Sequence, residues 1–251
     1  MYVPGVAAAN LPDPDVIAIL SAPRFSTYLA AAGHDQAAAL ELYAWNAQVS
    51  SALMVPAHFA EIASRNAAAE ALEAVYGPQW PWAAGTARSL PNPRSGYSPQ
   101  RDLQRTATRQ PTTGKVIAEL KFAFWGKLFT ARHDQRVWVP RIHSLFPNAD
   151  PDLSVADLRL RIANDLESIR VLRNRIAHHE PIHTRDLDED LARMLDLIEL
   201  RSSSTARWVR AIETSTAVLA SRPQVPLVPA EEELLVDEPV DEQPDVDTTT
   251  P

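Results

Sequence analysis

The chain has no cysteine, which excludes disulfides and thiolate-held zinc. Glycine is nearly as scarce, with seven among 251 residues, and no Asn-Gly or Asp-Gly pair marks a tight hairpin. No stretch keeps the polar–apolar alternation of a half-buried strand, so a sheet-based fold is not expected. No apolar run reaches the roughly 20 residues a membrane-spanning helix needs. The first residues also lack the basic-then-apolar pattern of a secretory leader. The expectation is a soluble cytoplasmic protein with no membrane partner. Basic charge is missing from the C-terminal end. From Pro223 to Pro251 there are nine acidic side chains (Glu231, Glu232, Glu233, Asp237, Glu238, Asp241, Glu242, Asp245 and Asp247) and no basic one. The overall charge is −8, so the rest of the chain stands at +1, compatible with a polyanionic ligand. This Pro-, Glu-, Asp- and Thr-rich tail has too little apolar surface to offset its ordering entropy, and disorder is expected over 223–251. It adds solubility, or as a mimic of nucleic acid covers a basic site.

What the chain does have is apolar surface, 45% of its residues, and an abundance of alanine in its first half. One all-α domain over 1–222 is expected. Short helices are predicted over Val16–Leu20 and Phe25–Ala32, the latter stopped by Gly33. Asp35 then N-caps a helix to about Met54, Pro56 starts another to Tyr76, and Gly77-Pro78 ends it. Trp80–Pro111 reads as a long Pro/Arg-rich loop, with seven residues of Pro or Gly. It carries Arg88, Arg94, Arg101, Arg105 and Arg109 against the single acid Asp102, so it is either a solvated loop or one facing phosphate. A helix over Thr112–Ala131 brings Phe122, Phe124, Trp125, Leu128 and Phe129 to the core, and a short one follows over Asp134–Leu145. Ser154, with Asp157 three residues on, opens a helix whose apolar side is Leu158, Ile162, Leu166, Ile169, Leu172 and Ile176. Asp186–Arg201 and Thr205–Leu219 complete the helices.

The densest chemistry lies at the end of the Ser154 helix, in Arg170-Val-Leu-Arg-Asn-Arg-Ile-Ala-His-His-Glu-Pro-Ile182. At about 100° per residue, Glu167, Arg170, Asn174 and His178 share a stripe beside the apolar face, with Arg173 between stripe and core. Pro181 prevents regular continuation. Arginine holds phosphate in a fixed fork, and histidine is the side chain suited to acid/base work near neutrality. The plain alternative is a capped helix end, with arginines and histidines satisfying the last carbonyls and the dipole. A metal reading of His178, His179 and His183 is weak. Adjacent histidines on a helix diverge, and no carboxylate sits at a ligand step. No metal or other cofactor is expected. His34, His58, His133 and His143 are scattered.

Arg173-Asn174-Arg175-Ile176-Ala177-His178 resembles the Arg-x4-His motif of HEPN domains, helical modules of many prokaryotic defence and toxin systems. The longer Leu172–Ile182 run looks like the Abi-like, abortive-infection branch. Leu42-Tyr-Ala-Trp-Asn46, Glu61 with Arg65-Asn66, Gly77-Pro-Gln-Trp80, Phe124-Trp-Gly-Lys-Leu128 and Leu145-Phe-Pro147 support the resemblance, which covers about Phe25 to Leu200. It implies a metal-independent endoribonuclease acting in phage defence, working at a cleft between two subunits. There the RNA 2′-hydroxyl attacks the neighbouring phosphate. On this chain, His178 is then the general acid/base, Arg173 the phosphate binder and Asn174 the orienting residue. Glu61 and Arg65 match a Glu-x3-Arg element of many HEPN domains, although an intrahelical ion pair explains them as well. Glu167, Arg170 and His179 are candidate supporting or substrate-binding residues. The implied partners are RNA, a second copy of the chain, and an antitoxin or other regulatory protein. Some members carry a modified tyrosine two residues after the histidine; here that position is Glu180. Two further readings stand beside the enzyme: a catalytically silent HEPN-like RNA-binding or regulatory module, and a helical protein-interaction scaffold with structural arginines.

Overall fold

The computed structural model describes residues 14–224, and among them every regular element is helical. The expectation for the 225–251 part of the tail lies outside these residues. Two short helices, α1 (Pro14–Leu20) and α2 (Ala22–Ala31), lead into α3 (Gln36–Tyr76), the axis of the molecule. Asp35 caps α3 as expected, its Oδ1 accepting from the Ala37 and Ala38 N–H groups at 2.9 and 3.0 Å. At its other end Gly77 takes a φ of 83°, open to glycine at little cost.

The break predicted at Pro56 does not occur: α3 is one 41-residue helix with Pro56 inside it. An interior proline costs about 3 kcal/mol in an isolated helix. The buried positions explain its tolerance. Leu42, Val49, Leu53, Ala57, Ala60, Ala67, Ala71 and Leu72 keep helical spacing on both sides of Pro56. The helices α2, α9 (Val155–Ala177), α10 (Leu187–Arg201) and α12 (Ser215–Ala220) all pack on α3. Each large apolar side chain buried this way contributes about 1.5–3 kcal/mol, so tertiary packing outweighs the local penalty.

The stretch expected to be a loop is also mostly ordered helix. A 3₁₀ turn at Trp80–Trp82 is followed by α4 (Ala84–Ser89) and α5 (Pro99–Arg109). Two of its prolines, Pro81 and Pro99, stand at the starts of these elements. Pro99 sits in the first turn of α5, where its missing N–H costs nothing, and Ser98 Oγ caps by accepting from Arg101 N–H at 3.2 Å. Trp80 is fully buried, stacked on Phe124 and edge-on to Trp125. The one long irregular part of this stretch is Leu90–Ser98.

The single helix expected over Thr112–Ala131 is instead α6 (Thr113–Glu119) and α7 (Phe122–Gly126), broken where Leu120 and Lys121 turn extended. The two halves serve different partners, which one straight rod cannot do. α6 packs on α5 and the Trp80 turn, while α7 packs on α3, α5 and α9. Phe124, Trp125, Leu128 and Phe129 are buried as expected, but Phe122 is half-exposed. A π-helical turn at Asp134–Trp138 and the short α8 (Ile142–Leu145) replace the helix expected over Asp134–Leu145.

Ser154 caps α9 (Val155–Ala177), accepting from Asp157 N–H at 3.1 Å and donating to its carboxylate at 2.6 Å. The predicted stripe is buried from Leu158 through Leu172, and Ile176 is half-buried. The next helix, α10 (Leu187–Arg201), lies between α3 and α9. Arg185 grips the buried Asp190 through two 2.8 Å bonds, and Asp165 of α9 pairs with Arg193 of α10. The helix predicted over Thr205–Leu219 is two, α11 (Ser203–Ile212) and α12 (Ser215–Ala220). The bend at Glu213 and Thr214 brings the Val218 carbonyl to Trp45 Nε1 at 2.8 Å.

Candidate functional site

The arginine–histidine run ends α9 in a Schellman turn. Glu180 N–H donates to Arg175 O at 2.8 Å and His179 N–H to Ile176 O at 3.0 Å. His179 takes the left-handed position with φ 55°, which usually falls to glycine. Arg175 and Glu180 join across the turn as an ion pair at 3.5 Å, and an Arg175 terminal nitrogen donates to Pro181 O at 2.8 Å. Arg24 of α2 donates to the His179 carbonyl at 3.3 Å. Backbone groups and arginines therefore cap this helix end, and the histidine side chains do not. His178, Asn174 and His179 are all exposed.

The segment that follows is fixed to α3. Buried Asn46 Oδ1 accepts from Ile182 N–H and His183 N–H at 2.9 and 3.1 Å. Arg222 donates to His183 O at 2.8 Å and lies over Trp45, 5.1 Å from the ring centroid. The His183 ring is buried against Tyr28, and neither ring nitrogen has a partner. Burial, then Arg222 and Arg175, holds its pKa below the ordinary histidine value. His183 is part of the support, not of the exposed histidine pair.

One turn back on α9, Arg173 reaches across to α3. A terminal nitrogen lies 2.6 Å from Glu61 Oε2, and the guanidinium sits 5.3 Å from the Phe122 ring centroid. The intrahelical Glu61–Arg65 pair does not form; Glu61 is taken by Arg173. Arg65 Nε and Arg173 Nε are both buried without a hydrogen-bond partner. Arg170 is occupied locally, gripping Glu167 through bonds of 2.8 and 2.5 Å, which holds the Glu167 carboxyl below its usual range. The arrangement thus joins Glu61 with Arg173 and Glu167 with Arg170. It leaves Asn174 and His178 facing solvent on the same helix. His178 lies five residues beyond Arg173, about 7.5 Å of helical rise.

Three participants were not singled out from the sequence. Arg24 touches the motif across 155 residues and left no local mark. Phe122 was assigned to the core, yet its position just past the α6–α7 break puts its ring under Arg173. Asn46 was noted only within a family-like segment; a polar residue on the buried face of α3 was the available clue. The arginines of the Trp80–Pro111 stretch are exposed, and Arg105 is paired with Asp102 at 2.9 Å.

Among the described residues there is no group of three or more His, Asp or Glu side chains arranged to hold a metal ion. None of their helices is long and apolar enough to cross a membrane. Compared with known proteins, the chain matches no family model, no curated protein and no solved structure.

Proposed function

We propose that the chain is a metal-independent endoribonuclease of the abortive-infection type, resembling HEPN domains, with Arg173 and His178 as its working pair. The observation that carries this reading is the Glu61–Arg173 ion pair between α3 and α9, with His178 unengaged at the end of the same helix. Arg175 of the run helps to close the helix end, as the capped-end alternative expects, while the histidine side chains take no part in it.

Arg173 is half-buried, held by Glu61 and backed by Phe122, so its fork is oriented before any ligand arrives. The Arg173 side chain remains 29% exposed beside Glu61, so the open part of its fork is available to phosphate oxygens. In the reaction a bond forms between the 2′-oxygen and phosphorus, and the bond from phosphorus to the 5′-oxygen breaks. The proton on the 2′-hydroxyl passes to a base, and an acid protonates the departing 5′-oxygen. The arginines stabilise the charge growing on the phosphoryl oxygens. A single imidazole cannot be neutral base and charged acid in one step. Two copies of α9 meeting at a two-fold axis would supply one of each, so the proposal includes a homodimer with a composite cleft. Asn174 faces the same solvent side and orients the substrate, while Arg170, held in place by Glu167, lies further along the same helix.

The test is cleavage of single-stranded RNA by the purified chain. His178→Ala is expected to lose roughly 10²–10⁴ in rate with RNA binding retained. Arg173→Lys is not expected to restore full activity, because the fork is gone. RNA bound but never cut by the wild type indicates the silent module instead. Absence of salt-dependent RNA binding indicates a protein scaffold.

A further inference from the structure

A cavity of about 430 Å³ opens between α7 and α9, beside the Arg173–His178 pair but outside it. It falls in the range of small-molecule sites, roughly 300–1,000 Å³. Phe122 belongs to both places, lining the cavity while Arg173 lies over its ring. The half-buried Tyr97 also lines the cavity, its hydroxyl donating to Asp102 Oδ2 at 2.7 Å and so fixing the ring. Leu166 and the bare Gly126 complete an apolar wall. The rim is charged: Lys127 and Arg170 line the opening, and the one acid there, Glu167, is already gripped by Arg170.

We infer that this cavity takes the unstacked base of a single-stranded RNA nucleotide whose phosphate lies on the Lys127–Arg170 rim. The inference rests on the RNA reading of the neighbouring pair and adds to it a place for a flanking base. Flat aromatic walls suit a π-face of any base, and the cations suit the adjoining phosphate. A purely apolar ligand would have no use for the two cations. An acidic peptide would have no use for two ring walls. Arg170 stands eight residues before His178, about 12 Å along the helix. The bound base therefore belongs to a nucleotide next to the scissile phosphate, and it sets the register of the strand.

The test is calorimetry or ligand-observed NMR on the full chain with AMP, adenosine and ribose 5-phosphate. AMP is expected to bind about tenfold tighter than ribose 5-phosphate, the increment of one base stacked on aromatic rings. Gly126→Leu should bring AMP down to the ribose 5-phosphate level and leave ribose 5-phosphate unchanged. A Cβ at Gly126 meets no atom within 4 Å, and Gly126 lines the cavity, so a larger side chain has room to enter there. Lys127 is exposed, and Lys127→Ala, which keeps the fold, should weaken AMP more than adenosine. AMP and ribose 5-phosphate binding alike, neither binding, or an AMP preference that survives Gly126→Leu overturns the base site. The two readings fail separately. AMP binding abolished by Gly126→Leu in a protein that cuts no RNA keeps the cavity and removes the nuclease. RNA cleavage lost with His178→Ala, with no base preference, does the reverse.

Discussion

At the scale of the residue, His179 shows what the helix end gives up. A non-glycine residue in the left-handed region costs about 1–2 kcal/mol, and the Schellman turn places His179 there with φ 55°. His179→Gly should therefore raise stability by about 1 kcal/mol in denaturant unfolding. An unchanged or lower midpoint would mean that the histidine side chain contributes contacts that offset its strain. His133 makes a second residue-scale case. Its ring is buried and Nε2 has no partner. Burial first, and Arg132 second, push its pKa down to about 4, against an opposing pull from Asp134. The folded state thus favours the neutral ring. Its contribution is complete above the ordinary value near 6.5 and is lost as pH falls from there towards 4, on the order of 3 kcal/mol in all. Burial of His183 acts in the same direction. His133→Leu should flatten the fall of Tm across that window; an identical acid profile would show that His133 does not set it.

At the scale of the element, the caps were legible and the interruptions were not. Asp35 and Ser154, read as caps, each precede a helix and accept its first free N–H groups, because a short polar side chain before an apolar periodic run has few other uses; Asp186, read as the first residue of its helix, is a third such cap. Pro56, Pro81 and Pro99 misled for a common reason. Proline marks a boundary only where tertiary packing allows one, and it is equally at home in a first turn. The Arg–His stripe on α9 could be read from 3.6-residue periodicity. The partner of Arg173 could not: nothing local separates a Glu61–Arg65 pair along one helix from the Glu61–Arg173 pair between two. The contacts of Arg24 and Asn46 likewise depend on how α2 and α3 pack against the end of α9. Asn46 gives the element-scale prediction. It alone accepts two buried N–H groups of the segment after His178. Asn46→Ala should cost about 2–4 kcal/mol, since each orphaned donor costs about 1–3. Denaturant midpoints check it, and a loss well under 1 kcal/mol would mean that the segment relaxes to water.

At the scale of the whole molecule, α3 works as a spine. It holds α2, α9, α10 and α12 on one continuous core, and through Glu61 and Asn46 it fixes both Arg173 and the segment behind the histidines. One chain presents one exposed His178 and one oriented Arg173, half of what the proposed cleavage uses. The proposed dimer leads to a mixing experiment. His178→Ala and Arg173→Ala proteins, inactive apart, should regain part of the wild-type rate when their subunits exchange. No recovery despite demonstrated exchange would place the whole site in one chain. The most direct measurement of all is the chemistry of the RNA ends made by the purified protein in EDTA. The account predicts 2′,3′-cyclic phosphates from the wild type, undiminished by the chelator, and none from His178→Ala. Cleavage that stops in EDTA, or that His178→Ala carries out at the wild-type rate, would contradict it.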